Sequence, residues 1–193
     1  DIETKRDQLR EAEQYVNTGL ITREELNAYR KECARFAYPY YKQTVNHNPN
    51  DFEALMELGY FTVEINGTNS EEARACFTKA TELNPKEPAA WYNLGVSLTS
   101  DIFGSRTHSK SVGREEIEQW LTVWGQFITT QKENPSDMIT EENLKLAARY
   151  VNKLRGLLPP SVIAQRFTAS DDSEDLERKL PIKKLLKKRG KID

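Results

Sequence analysis

Residues 54–95 write one helical unit nearly twice, and no other feature of this 193-residue chain narrows its fold as much. Leu55, Leu58 and Gly59 are answered by Trp91, Leu94 and Gly95, with Trp91 standing 36 positions after Leu55. Between the two copies run Ala73, Phe77, Ala80 and Pro85. Ala73, Phe77 and Ala80 are four and three apart, so they share one helix face, and the proline stops the chain before the next helix. The glycines and alanines let paired helices approach closely, while the large residues fill the space between pairs. A hairpin this short cannot enclose a core by itself. It has to stack on neighbours, which confines the chain to a row of paired helices.

The large-x-x-Leu-Gly opening and the Ala-x-x-x-Phe-x-x-Ala-x-x-x-x-Pro closing resemble the tetratricopeptide repeat. The resemblance is clearest over 51–98 and implies an all-α, short right-handed solenoid of helical hairpins that holds other proteins. Two further sets repeat the spacing of the closing helix: Ala37, Tyr41, Thr44, Pro49 and Val123, Phe127, Thr130, Pro135. The expected pairs are therefore 5–16 with 23–47, 51–65 with 70–83, and 87–100 with 114–131. A polar stretch, 100–113, is expected as a surface loop inserted between paired helices. The stripe Leu144, Ala147, Tyr150, Val151, Leu154 predicts a capping helix over 140–158, closing a helical domain of 1–158. Pro159-Pro160 ends it, and 159–193 is expected as a linker and a basic tail.

Local signals mark the element ends. Gly19 suits a left-handed cap after the first helix, and Thr22 with Glu25 three residues later forms a capping-box pattern. Thr140 before Glu141-Glu142-Asn143 is another helix start. Pro39 is expected to kink or split the second helix, because it lacks a backbone donor and crowds the preceding turn. Trp120, Trp124, Phe127 and Gln131 form a stripe that reads as core, although Val123 and Phe127 occupy the repeat slots, which leaves room for one tryptophan to face outward.

Composition excludes several classes of function. Hydrophobic residues are 37% and charged residues 30%, and no apolar run approaches the roughly 20 residues of a membrane span. Cys33 and Cys76 read as small buried side chains, with no Cys/His cluster for zinc. His47 and His108 belong to no catalytic pattern, and no phosphate-binding or dinucleotide motif is present, so no enzyme, cofactor, metal site or small-molecule substrate is expected.

Carried over residue by residue, the resemblance places Met56, Glu57, Tyr60, Tyr92, Asn93 and Val96 on the concave face, where relatives line a groove for a peptide or partner helix. It does not extend to the carboxylate clamp by which some such domains grip chaperone C-termini. Asn93 fits that pattern, but Met56 and Tyr60 stand where Lys and Asn are needed, and a buried carboxylate without cations is too costly. The tail is a separate device: 178–193 hold eight Lys/Arg against one acid, leaving 20 bases and 29 acids elsewhere, a net of −9. Lys183, Lys184, Lys187, Lys188 and Arg189 are its expected contacts with an anionic partner, whether RNA, acidic protein or lipid headgroups. The leading expectation is a scaffold, an accessory subunit of a larger multiprotein complex (an organellar membrane complex or a ribonucleoprotein), in a mitochondrion or plastid after loss of a targeting segment. The alternative is a transient adaptor or assembly factor that binds a client peptide in its groove.

Overall fold

The computed structural model describes residues 2–104 and 112–159. The expected tail contacts Lys183, Lys184, Lys187, Lys188 and Arg189, the linker, His108 and most of the inserted loop lie outside the described residues. Seven α-helices and no strands make up the described chain: α1 (Ile2–Asn17), α2 (Arg23–His47), α3 (Phe52–Asn66), α4 (Glu71–Leu83), α5 (Pro88–Gly104), α6 (Arg114–Glu133) and α7 (Glu141–Gly156). They divide into two compact units, Asp1–Asn84 with α1–α4 and Pro85–Asp193 with α5–α7. None of these helices is long and apolar enough to cross a membrane.

The helix ends are where local chemistry sets them. Gly19 takes φ 74° after α1 and Gly67 φ 93° after α3, conformations that cost a side-chain-bearing residue dearly. The Thr22 hydroxyl accepts from Glu25 N at 3.1 Å while the Glu25 carboxylate accepts from Thr22 N at 2.7 Å, a complete capping box. Asp51 caps α3 through a bond from Ala54 N at 3.0 Å. Pro39 does not split α2, which runs unbroken for 25 residues. Pro39 lies on the exposed side of the helix. At the other ragged boundary, α5 continues four residues past its expected end at 100.

In the first unit α1 packs on α2, α2 on α3, and α3 on α4. Ala34 and Ala37 of α2 are fully buried and admit Phe61 of α3, with Tyr41 and Ile65 partly covering the cluster. Tyr41 and Phe61 meet with ring centroids 5.6 Å apart. The α3–α4 hairpin closes on Gly59 and Phe77, so the Phe77 ring lies inside its own hairpin and not, as expected, between neighbouring pairs. A Cβ built on Gly59 would stand 2.6 Å from the Phe77 ring, so only glycine admits that ring. Cys33 and Cys76 are buried, and neither is in a disulfide.

The second unit closes its hairpin in the same way but with a different residue. Gly95 faces Trp124, whose ring would lie 2.9 Å from an added Cβ. The proline offset had assigned the equivalent slot to Phe127, with Val123 before it. Phe127 is fully buried as well, yet Trp124, one turn earlier, covers the glycine, and Val123 is only half-buried. Of the two tryptophans on α6, the one left partly open is Trp120. Trp124 also stacks on Tyr150 of α7 at 5.3 Å and 14°, and meets Tyr92 and Phe127 edge-on. This aromatic centre holds α5, α6 and α7 to one another.

Gly125, next to Trp124, has no atom within 4 Å of where a Cβ would go. Glycine inside a helix costs about 1 kcal/mol relative to alanine. Gly125→Ala is therefore expected to raise stability by roughly 0.5–1 kcal/mol, read as a higher urea midpoint at unchanged slope. A lower midpoint would mean that this face is already in contact with something.

Candidate interaction surface

The six positions that the repeat register assigns to a concave face lie three on α3 and three on α5, one set in each unit. On α3, Met56 and Glu57 are half-buried and Tyr60, one turn on, is 41% exposed. The α3 sequence from Phe52 to Asn66 contains Glu53, Glu57 and Glu64 and no cation. The Tyr60 phenol is pushed up to about 12, first by loss of water around it and then by the Glu64 carboxylate, with Arg30 pulling the other way. Arg30 of α2 belongs to the same surroundings: it donates to Glu13 of α1 at 2.6 Å. Burial pulls the Arg30 guanidinium down, but Glu13, Tyr60 and Glu64 outweigh it and hold the value above its ordinary one. The open part of this face is thus an acidic and aromatic strip.

On α5, Asn93 and Val96 are half-buried. Tyr92 is committed inside its own unit. Its ring packs 5.5 Å from Phe127, and its hydroxyl accepts from Asn143 Nδ2 at 2.8 Å. Burial is the main reason its phenol titrates above the ordinary value, and the Asn143 bond opposes it. Asn143 has a double task, since its Oδ1 accepts from Thr140 N at 2.8 Å to cap α7. Asparagine serves where glutamate would not, because only an amide offers both an acceptor and a donor.

The structure also gathers a polar group that the sequence did not suggest. Glu72 of α4 accepts from Tyr38 at 2.9 Å and pairs with Lys42, both of α2. Burial raises the Glu72 carboxyl, but Lys42, Tyr38 and Thr62 outweigh it, so it titrates below its ordinary value. Lys42 is held above its own ordinary value, first by the bond to Glu72. A depressed carboxylate stabilises the fold above its unfolded value, near 4.5, and that contribution is lost as pH falls through the folded value. Both side chains keep solvent contact, so the contribution is about 1 kcal/mol or less. Urea unfolding at neutral pH should show Glu72→Gln less stable than wild type, with the gap narrowing at pH 3. An unchanged gap would remove the ion pair as its cause. The pairs Tyr38–Glu72 and Lys42–Glu72 are 34 and 30 residues apart and follow no helical period, so nothing in the sequence marked them.

Among the described residues, no three His, Cys, Asp or Glu side chains gather as metal ligands would. No protein-family model matches the chain. It is similar to Superkiller protein 3 of Saccharomyces cerevisiae, a protein containing tetratricopeptide repeats, at 27% identity over 158 residues. The match covers 76% of this chain, which spans only about 10% of that protein's length. Together with the adjacent packed helices, this likeness supports a repeat-like helical chain.

Proposed function

We propose that the chain is a non-catalytic scaffold, a right-handed tetratricopeptide-like solenoid capped by α7, serving as an accessory structural subunit of a larger multiprotein assembly. The observation that carries this reading is the recurrence of one closure: Gly59 under Phe77 in one unit and Gly95 under Trp124 in the other. The large buried side chains are spent on holding hairpins together, as in proteins whose outer faces do the work. Lys145, Arg149, Asn152 and Lys153 are exposed on α7, and a polar outer face is what a terminal cap requires. The test is size fractionation of native extracts containing the tagged protein, with mass spectrometry of what co-migrates. A stable high-mass peak with stoichiometric partners is expected; a monomeric peak would overturn the subunit reading.

Exposure of Tyr60 beside Glu64, with the neighbouring Arg30 already paired to Glu13, favours a second reading, a reversible adaptor for a peptide carrying Lys or Arg. In that case Tyr60→Ala should weaken peptide binding at least tenfold without changing stability. Equal affinities would remove the α3 face from consideration.

A further inference from the structure

The outer face of α7 carries a charge pattern that the repeat does not account for. From Leu144 to Pro159 the chain has four cations, Lys145, Arg149, Lys153 and Arg155, and no acid. Lys145, Arg149 and Lys153 follow one another at four-residue steps, and all three are exposed. The buried seam of the helix, Leu144, Ala147, Tyr150, Val151 and Leu154, lies on the other side. Cations in a last turn answer the carbonyl end of the helix, which explains Lys153 and Arg155. Lys145 and Arg149 lie too far from that end to be explained this way. Lys145 pairs with Glu141 one turn earlier, and the Lys153 ammonium donates to the Ile102 carbonyl of α5. Arg149 stands between them.

The same chain supplies a segment of complementary charge. Asp171, Asp172, Glu174, Asp175 and Glu177 put five acids into seven residues, beginning 13 positions after Leu158. We propose that this acidic segment, 171–177, docks in cis on the basic stripe of α7 with Arg149 at its centre. Reach is ample. The 12 residues of 159–170 can span up to roughly 40 Å, while Arg149 lies about 10 Å along the helix from Gly156. Exposed pairs contribute only about 0.2–1 kcal/mol each, too little to hold a free peptide. A short tether makes the partner's effective concentration millimolar, so a few such pairs populate the docked form in part of the molecules rather than in all of them. The contact covers the outer face of α7 with the chain's own residues and competes there with any acidic partner.

The test uses the full-length chain with a nitroxide on Ser173→Cys, its own two cysteines being buried. Backbone amide signals should broaden over 145–153. Broadening should vanish with Arg149→Glu, and also when salt rises from about 0.15 M to 1 M, which shortens the screening length from about 8 Å to about 3 Å. Combining Arg149→Glu with Asp171→Lys, Asp172→Lys and Glu174→Lys should restore it. Broadening confined to 178–191 would mean that the acidic segment pairs with the adjacent cations instead, and it would overturn the proposal. So would broadening that persists when nitroxide and isotope sit on different molecules, since docking would then be in trans. No broadening at low salt would overturn it as well.

Discussion

Trp124→Ala is expected to lower unfolding stability by about 3–5 kcal/mol, the range for removing a large aromatic side chain from a packed core. Trp124 has no exposed surface and touches three helices: the Gly95 backbone of α5, Phe127 on its own α6 and the Tyr150 ring of α7. No single neighbour can collapse into the space it leaves. Tyr92 and Tyr150 are themselves tied down, Tyr92 by the Asn143 bond that also caps α7. A domain is stable by only about 5–15 kcal/mol, so this one change removes a large part of the total. Trp120→Ala, on the same helix at a half-buried position, should cost below about 1.5 kcal/mol. Chemical denaturation followed by circular dichroism separates the two. Equal costs would mean that Trp124 is not the residue that organises this unit.

That contrast shows which parts of the fold the sequence could reveal. Helix positions and ends were legible where they rest on local chemistry: the Thr22–Glu25 box, the Thr140 cap and the glycine at 19. The Gly59–Phe77 contact was legible only in part: the sequence marked Gly59 for close approach, but it assigned Phe77 to the space between hairpins, whereas the ring closes on Gly59 inside its own hairpin. On α6 two aromatics, Trp124 and Phe127, stand three residues apart and both are buried. Spacing tells which face they share, and only the approach of α5 decides which of them covers Gly95. The candidate surface divides in the same way. Register places Met56, Glu57, Tyr60, Tyr92, Asn93 and Val96 on two opening helices, but it cannot show that Tyr92 is engaged by Asn143, 51 residues away. Contacts between distant elements, Glu72 with Lys42 among them, leave no periodic trace in the sequence.

The glycine closure itself gives the second large effect. Gly59→Ala is expected to destabilise by about 1–3 kcal/mol, although alanine is the better helix former by about 1 kcal/mol. The sign depends on whether the neighbour can yield. The added methyl would stand 2.6 Å from Cε1 of Phe77 and 2.8 Å from Cζ, well inside contact distance, and that ring is only 1% exposed. A flexible chain end could swing aside, but a ring this deeply buried in a close-packed interior has little room to turn, so either α3 and α4 separate or the ring strains. Gly125→Ala makes the same chemical change in open space and should have the opposite sign, a gain of roughly 0.5–1 kcal/mol. Shrinking the neighbour separates clash from propensity. In a Phe77→Leu background Gly59→Ala should cost at least 1 kcal/mol less than in wild type, a coupling that a double-mutant cycle in urea measures directly. Additive costs would show that the ring does not close on Gly59, and with that the shared closure of the two units would fall.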